Sequence, residues 1–389
     1  MSLPARLSRS RQARFALFYG AMYIGFGAYL PYMPVWFEGR GLSAEQIGMA
    51  AAAGMIGRLI AAPLGAIWAD RAARRRDAIL GFTLLTLAAF LAHIPATDPD
   101  AILLLAFLAG ASVTGIIPLI DAFAMGQART KHFEFGPPRA VGSATFVVGN
   151  LGGGALVSAF GGEAALVWII AGCALAVLAA LLLPPGRRMP ESAGRPGPKA
   201  RDLRLVLGAG LPLAFAASAL IQGAHGFYYA FSAVAWRGQG IPAAAVGALW
   251  STGVIAEIVF LTFVGRFFRG WSPAGLIALG GTVSVLRWCL LALAPPLALL
   301  FPLQILHAGS FAATYLGFLR YASAAVPGRL AATVQVINSA LSGGIVLALA
   351  TLASGYAYAA FGAGGFAVMA LPAAAGALCA VALLQRRAT

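Results

Sequence analysis

The stretch Gly39-Arg-Gly-Leu-Ser-Ala-Glu-Gln-Ile-Gly48 returns as Gly238-Gln-Gly-Ile-Pro-Ala-Ala-Ala-Val-Gly247, with its three glycines in register at an offset of 199 residues. Outward from it, at the same offset, Gly81 recurs as Gly280 and Ala109-Gly110 as Ala308-Gly309, and four hydrophobic segments align without a gap. Further on, the second copy loses about nine loop residues, and Arg139 with Gly153-Gly154 is echoed by Arg329 with Gly343-Gly344. The polar positions have diverged: Arg58 maps onto Glu257 and Asp121 onto Arg320. A kept backbone with altered charges predicts two parallel halves around a shared site, an arrangement common among secondary transporters.

Composition sets the class. Sixty per cent of the 389 residues are hydrophobic and only 10% are charged, with a mean hydropathy of +0.85; a soluble domain carries about 25% charge. The chain therefore reads as an all-α polytopic membrane protein whose partner is the lipid bilayer. A helix needs roughly 20 apolar residues to cross the hydrocarbon. Twelve such spans can be placed, centred near residues 26, 57, 86, 112, 150, 173, 220, 253, 284, 309, 341 and 374.

A net charge of +15 would suggest nucleic acid in a soluble protein, but here its placement makes it a topology signal and no nucleic-acid partner is expected. Basic residues cluster before span 1 (Arg6, Arg9, Arg11, Arg14), after spans 2 and 4, in the middle loop and in later alternate loops. Twenty-three of the 27 lie on one side, against Arg40 and Arg237 on the other, with Arg58 and Arg287 inside spans. The positive-inside rule then puts both termini in the cytoplasm. Span 1, Phe15 to Trp36, is too long for a signal-peptide core and is expected to be retained.

The expected organisation is a cytoplasmic N-terminus (1–14), a six-helix half (15–183), a linker (184–204), a second six-helix half (205–384) and a cytoplasmic C-terminus (385–389). The linker, rich in Pro, Gly and Arg, cannot bury enough apolar surface to fold alone. Cys173, Cys289 and Cys379 are widely spaced in apolar segments, which argues against a metal site or disulfide framework. The 48 glycines form no phosphate loop; small residues let helices approach closely in lipid. No cofactor or metal is expected, and ATP-driven transport is disfavoured.

Charge deep in a bilayer is kept mainly where it meets a wet cavity or a partner. Arg58, Glu257 and Arg287 fall near the middle of spans 2, 8 and 9, and Asp121 near the cytoplasmic end of span 4. Each reads either as a static ion pair holding helices in register or as part of a binding site. Burial favours the protonated form of a carboxylic acid and a nearby guanidinium favours the ionised form, so a Glu257 that gains and loses an Arg partner would load and release a proton. Polar residues recur beside these charges at helical spacing: Gln222, His225 and Tyr229 in span 7, and Gln304, His307, Phe311 and Thr314 in span 10. Span 1 carries Tyr19, Tyr23, Phe26 and Tyr29, a stripe that is either packing or a binding wall, with Tyr32 and Trp36 placed in an interfacial belt. His93 and His132 lie near span ends and look ordinary.

The turn after span 2, Asp70-Arg71-Ala72-Ala73-Arg74-Arg75, resembles the loop signature of the major facilitator superfamily, with Ala66 and Ala73 where glycines are usual. Asp70, Arg71 and Arg74 are then gating candidates, the other reading being topogenic charge alone. The stretch Ile221–Ile258, with PLIDAFA at 118–124 and LQILHAGSF at 303–311, resembles the phenylpropionate permease family, a branch of that superfamily related to lactose permease. The resemblance covers essentially the whole chain and implies a proton-coupled importer of a bacterial inner membrane. It places Asp121 and Arg139 on a substrate-binding Glu and its paired Arg, and Arg287 and His307 on an Arg and His of the coupling cluster. Three positions depart: Phe146 replaces the sugar-stacking Trp, Ser310 replaces the coupling Glu, and Glu257 lies about one turn from the helix 8 Glu. Glu257 becomes the first-choice proton site and Asp121 the second, with His307 beside them.

The whole reads as a monomeric twelve-helix facilitator, not an enzyme, with its cavity between the halves. Arg58, Arg139 and Arg287 against Asp121 and Glu257 leave one positive charge over. With aromatic walls, that suits a small aromatic carboxylate held by an Arg fork. Sugar-proton symport and proton-coupled efflux are the alternatives within transport. An intramembrane enzyme would need a nucleophile with a base, which the sequence does not offer. A receptor would have no use for a titratable pair such as Glu257 and His307.

Overall fold

The computed structural model describes residues 3–131, 133–186, 200–208 and 210–386; Met1, Ser2, His132, residues 187–199 of the expected linker, Ala209 and residues 387–389 lie outside them. Among the described residues there is helix and no strand. In order they are α1 (Leu3–Gly39), α2 (Ala44–Arg71), α3 (Arg75–Ala92), α4 (Pro99–Lys131), α5 (Gly136–Phe160), α6 (Glu163–Leu182), α7 (Ala200–Leu207), α8 (Leu211–Gly223), α9 (Gly226–Gly238), α10 (Ala243–Phe267), α11 (Pro273–Ala292) and α12 (Leu297–His307). A π-turn (Ala308–Ala313) leads to α13 (Thr314–Ala325); α14 (Ala331–Ala340), a second π-turn (Leu341–Val346), α15 (Leu347–Phe361) and α16 (Ala370–Gln385) follow.

Eight helical runs among the described residues are long and apolar enough to cross a membrane, the last of them, Gly328–Gln385, long enough at 58 residues to hold two of the expected spans. The remaining three, spans 1, 3 and 7, fall in α1, in α3 and in the α8–α9 pair, so every expected span centre lies in helix. Helix α1 extends beyond span 1, starting at Leu3.

The chain divides into two compact units, Met1–Arg195 with Pro242–Ala248, and Pro196–Ile241 with Leu249–Thr389. In the first, α1 packs on α5 and α6, α2 on α4, and α3 on α4 and α6. In the second, α11 packs on α16 and α13, and α8 on α16, around Leu211, Ile277, Phe318 and Val334, all fully buried.

The glycine repeat has a direct structural counterpart. Gly41 has φ +81° and Gly240 φ +82°; in both turns the glycine N–H donates over 2.9 Å to the carbonyl three residues back (Glu38, Arg237), and the next N–H returns to the third-last helical carbonyl (Leu42 to Phe37, Ile241 to Trp236). A left-handed residue ends the helix in each copy, and glycine adopts it without the Cβ clash. After the first turn, Ser43 starts α2 with a capping box: its Oγ accepts from the Gln46 N–H and the Gln46 side chain accepts from the Ser43 N–H. Elsewhere glycine serves contact. A Cβ on Gly110 would collide with the backbone of Gly54, so α2 and α4 touch there through main chain, as small residues permit in lipid.

Two expectations shift. Tyr32 and Trp36, expected in a belt facing the interface, are fully buried; Trp36 Nε1 donates to Glu163, which also holds Arg40, and Tyr32 donates to the carbonyl of Asn150. Their polar tips found protein partners, so the rings turn inward rather than to the headgroups. Helix α7 begins inside the expected linker. Asp202 there pairs with Arg329 ahead of α14, and Val206 is buried in the second unit's core, so the neighbouring chain supplies the apolar cover that the linker composition lacks.

Candidate functional site

Three helix irregularities surround the polar cluster of the second unit. Span 7 breaks between α8 and α9 at Ala224–His225, and span 10 widens into the π-turn Ala308–Ala313 directly after His307. The second π-turn, Leu341–Val346, packs on α8. Widened turns recur at functional positions because they re-aim side chains and free carbonyls. Gln222, His225 and Tyr229 therefore do not share one continuous helical face: His225 stands at the break, its ring against the carbonyls of Ile221 and Gln222 at 3.2 and 3.1 Å.

Arg287, on α11, occupies the centre and is fully buried. One face of its guanidinium lies 4.7 Å from the Tyr228 ring centroid and it sits 4.6 Å from that of Trp288. Its Nη2 donates to Gln304 Oε1 at 2.8 Å, and its Nη1 meets His307 Nδ1 at 3.1 Å and Ser310 Oγ at 3.3 Å. All of these partners are neutral or lone-pair acceptors; among the described residues no carboxylate pairs with Arg287. Stacking on π-faces and hydrogen bonding partly replace the water this cation has lost. On the far side of the His307 ring, Nε2 lies 3.9 Å from Glu257 Oε2. Gln222 donates to the Phe311 carbonyl at 3.3 Å, and Tyr229 lies beside His225, their rings 6.0 Å apart.

The first unit carries a different cluster. Tyr19 donates to Asp121 Oδ1 at 2.6 Å, and Arg139 Nε lies 3.8 Å from the same oxygen. The Arg139 guanidinium is 4.7 Å from the Tyr23 centroid and 5.8 Å from that of Tyr19. Phe146, on α5 about two turns beyond Arg139, is buried with its ring 6.5 Å from Tyr23 and 6.0 Å from Phe26. Arg58 is half-buried on α2, within electrostatic range of Tyr23. The two units thus share a motif, an Arg laid on a Tyr, but in the first the Arg is neutralised by an acid and in the second it is not.

At the end of α2, Asp70 pairs with Arg75 at 3.4 Å, while Arg74 pairs with Asp77 at 3.1 Å and Arg71 is exposed. The first N–H groups of α3 donate to the carbonyls of Gly186 and Pro185, and Arg76 reaches the carbonyls of Leu181 and Leu183 at the end of α6. The basic turn is therefore bound to the exit of the first six helices.

With this fold and these clusters, residues 13–367 match the MFS_1 like family. The chain belongs to that family of transporters. It is 32% identical to the probable 3-phenylpropionic acid transporter of Escherichia coli K12 over 364 residues, 92% of this chain and 93% of that one. It is 25% identical to the maltose permease of Geobacillus stearothermophilus, over 89% of this chain and 88% of that one. Its fold matches the crystal structure of the nucleoside transporter NupG with a TM-score of 0.81 at 16% identity, covering 96% and 98% of the two chains. This MFS_1-like protein is a multi-pass membrane transporter of the major facilitator kind, and the phenylpropionate-permease resemblance of its sequence is met by its relatives.

The transporter's second cluster also contains residues that sequence spacing did not single out. Tyr228 and Trp288 both lie against the Arg287 guanidinium with their own ring centroids 6.3 Å apart, and Trp250 stacks on Tyr228 at 4.5 Å. Tyr228 follows His225 by three, which is helical spacing, but the adjacent Tyr229 satisfies the i+4 rule equally well and the choice depends on the break. Trp288 neighbours Arg287 in sequence, and helical spacing of three and four does not pair adjacent residues.

Proposed function

We propose that the protein is a proton-coupled symporter of a small aromatic carboxylate, working by alternating access in a bacterial inner membrane with both termini cytoplasmic. The observation that carries this reading is Arg287: a fully buried guanidinium whose side-chain partners are Gln304, His307 and Ser310. A buried charge left without an opposite charge is costly. A carboxylate that reaches this guanidinium as the transporter changes state completes it, with the rings of Tyr228, Trp288 and Phe311 lining the same cluster. Glu257, across the His307 ring, supplies the titratable group, with Asp121 as the second candidate. Support for the substrate class comes also from the name of the E. coli relative.

Sugar-proton symport is the second reading. It is favoured by the Tyr19–Asp121–Arg139 group, a set of donors and acceptors suited to hydroxyls, and by the name of the Geobacillus relative. The deciding experiment is substrate-induced proton movement in proteoliposomes with 3-phenylpropionate, cinnamate, maltose and lactose, using wild type and Glu257→Gln. External alkalinisation with an aromatic acid, absent in the variant, supports carboxylate symport. A response to a sugar alone overturns the substrate, and no proton movement with any of them overturns the coupling.

A further inference from the structure

The hydrogens of the two buried histidines around Arg287 can be placed from the chemistry of their neighbours. His225 Nδ1 faces two backbone carbonyls, Ile221 and Gln222, at 3.2 and 3.1 Å. A carbonyl can only accept, so Nδ1 bears the hydrogen. In the neutral ring the other nitrogen, Nε2, is then a lone pair, and it lies 3.3 Å from Ser310 Oγ. That pair closes only if the Ser310 hydroxyl donates. The hydroxyl's other acceptor, the His307 carbonyl at 3.3 Å, would leave Nε2 without a donor in a fully buried position, which is the more expensive choice. With its hydrogen turned to His225, Ser310 Oγ presents lone pairs to Arg287 Nη1 at 3.3 Å.

His307 is constrained the other way. Its Nδ1 meets Arg287 Nη1 at 3.1 Å, and a guanidinium can only donate, so Nδ1 is the lone pair. The ring hydrogen is on Nε2, on the side of Glu257 Oε2 at 3.9 Å. Both rings are nearly or wholly buried, as is Ser310, so water does not relax these constraints.

We propose that His225 is a positioning residue for Arg287. Held as the Nδ1–H tautomer by the carbonyls of the α8–α9 break, it fixes the Ser310 hydroxyl and through it the guanidinium, while His307 is held as the opposite, Nε2–H tautomer. Serine at position 310, where related permeases are expected to carry an acid, is thereby recruited as an acceptor for Arg287 rather than as a proton carrier. The consequence for transport rests on the reading that Arg287 receives the substrate carboxylate: His225 would tune substrate affinity, acting three groups away from the substrate, without taking part in proton transfer.

The test is nitrogen NMR of the full-length protein with imidazole-labelled histidine, at neutral pH and without substrate. The expected spectrum contains both neutral tautomers; the Nδ1–H signal set loses a member in His225→Gln, and the Nε2–H set loses one in His307→Gln. Finding only imidazolium rings, or only one tautomer, in wild type overturns the proposal without any variant. Uptake gives a second readout. His225→Asn keeps a group at Nδ1 but loses the acceptor at Nε2 and is expected to raise KM roughly five- to tenfold, the worth of one hydrogen bond, with turnover little changed. His225→Gln, which can place an acceptor at the Nε2 position, should restore most of the loss. In a Ser310→Ala background the Asn substitution should cost little more; full additivity would mean that His225 acts by packing and not through Ser310. Arg287→Gln with undiminished uptake would instead remove the carboxylate reading and leave the tautomers as assigned.

Discussion

Arg287 Nη1 and His307 Nδ1 face each other across 3.1 Å, and because the guanidinium has no lone pair the contact has one possible direction. It ties the cation of α11 to the ring that stands between it and Glu257. Anything that draws Arg287 towards itself, as a carboxylate would, also releases the His307 lone pair. This gives a physical route by which substrate binding on α11 is felt at Glu257 on α10 without direct contact between them.

Replacing Arg287 should therefore remove more than charge. Arg287→Lys keeps the charge but cannot lay a planar cation against Tyr228 and Trp288 while bonding Gln304, His307 and Ser310 at once. Losing that set in a buried site costs about 3 kcal/mol, roughly a hundredfold in affinity. Aromatic-acid uptake by proteoliposomes should fall at least that far in both Arg287→Lys and Arg287→Gln, and a Lys variant with wild-type uptake would show that the fork geometry is unimportant.

Glu257→Gln separates binding from coupling. The neutral side chain preserves shape and removes titration, so accumulation against a gradient and substrate-induced alkalinisation should both be lost while exchange of labelled for unlabelled substrate continues. Retained alkalinisation would move the proton site to Asp121, and the same measurement on Asp121→Asn would decide it.

The turn glycines make a stability prediction. At Gly240, φ +82° is a conformation that costs an L-residue about 1–2 kcal/mol, so Gly240→Ala should lower the thermal unfolding temperature of the purified protein, and Gly41→Ala should do the same by a similar amount. A control substitution, Gly265→Ala, at a helical position where an added Cβ meets open space, should raise stability slightly or leave it unchanged. Equal losses at all three would sink the turn argument.

In the α2–α3 turn, Asp70→Asn removes the partner of Arg75. The pair is partly exposed and worth about 1 kcal/mol or less, so the amount of protein in the membrane should be unchanged. If the turn acts as a gate, turnover should slow several-fold with KM little altered; unchanged turnover would leave the charges a topogenic role.

The sequence alone determined the class and the duplication. Sixty per cent apolar residues leave a chain no soluble solution, and span length follows from bilayer thickness, so twelve helical positions could be counted before any contact was known. The glycines at 41 and 240 were legible as a repeat because a left-handed turn tolerates little else, and the same φ at both reflects that restriction. The buried charges were legible too, since each is too costly in lipid to be incidental. Tertiary structure alone decided what those charges do. Asp121 and Arg139 stand on the consecutive helices α4 and α5 and meet as an ion pair, whereas Arg287, of the same residue type, is surrounded by rings and neutral acceptors. Helical periodicity assumed an unbroken span 7 and so weighed Tyr229 where Tyr228 meets the guanidinium; the break at Ala224–His225 and the π-turn after His307 depart from the regular 3.6-residue period, and a spacing rule that assumes that period cannot contain them.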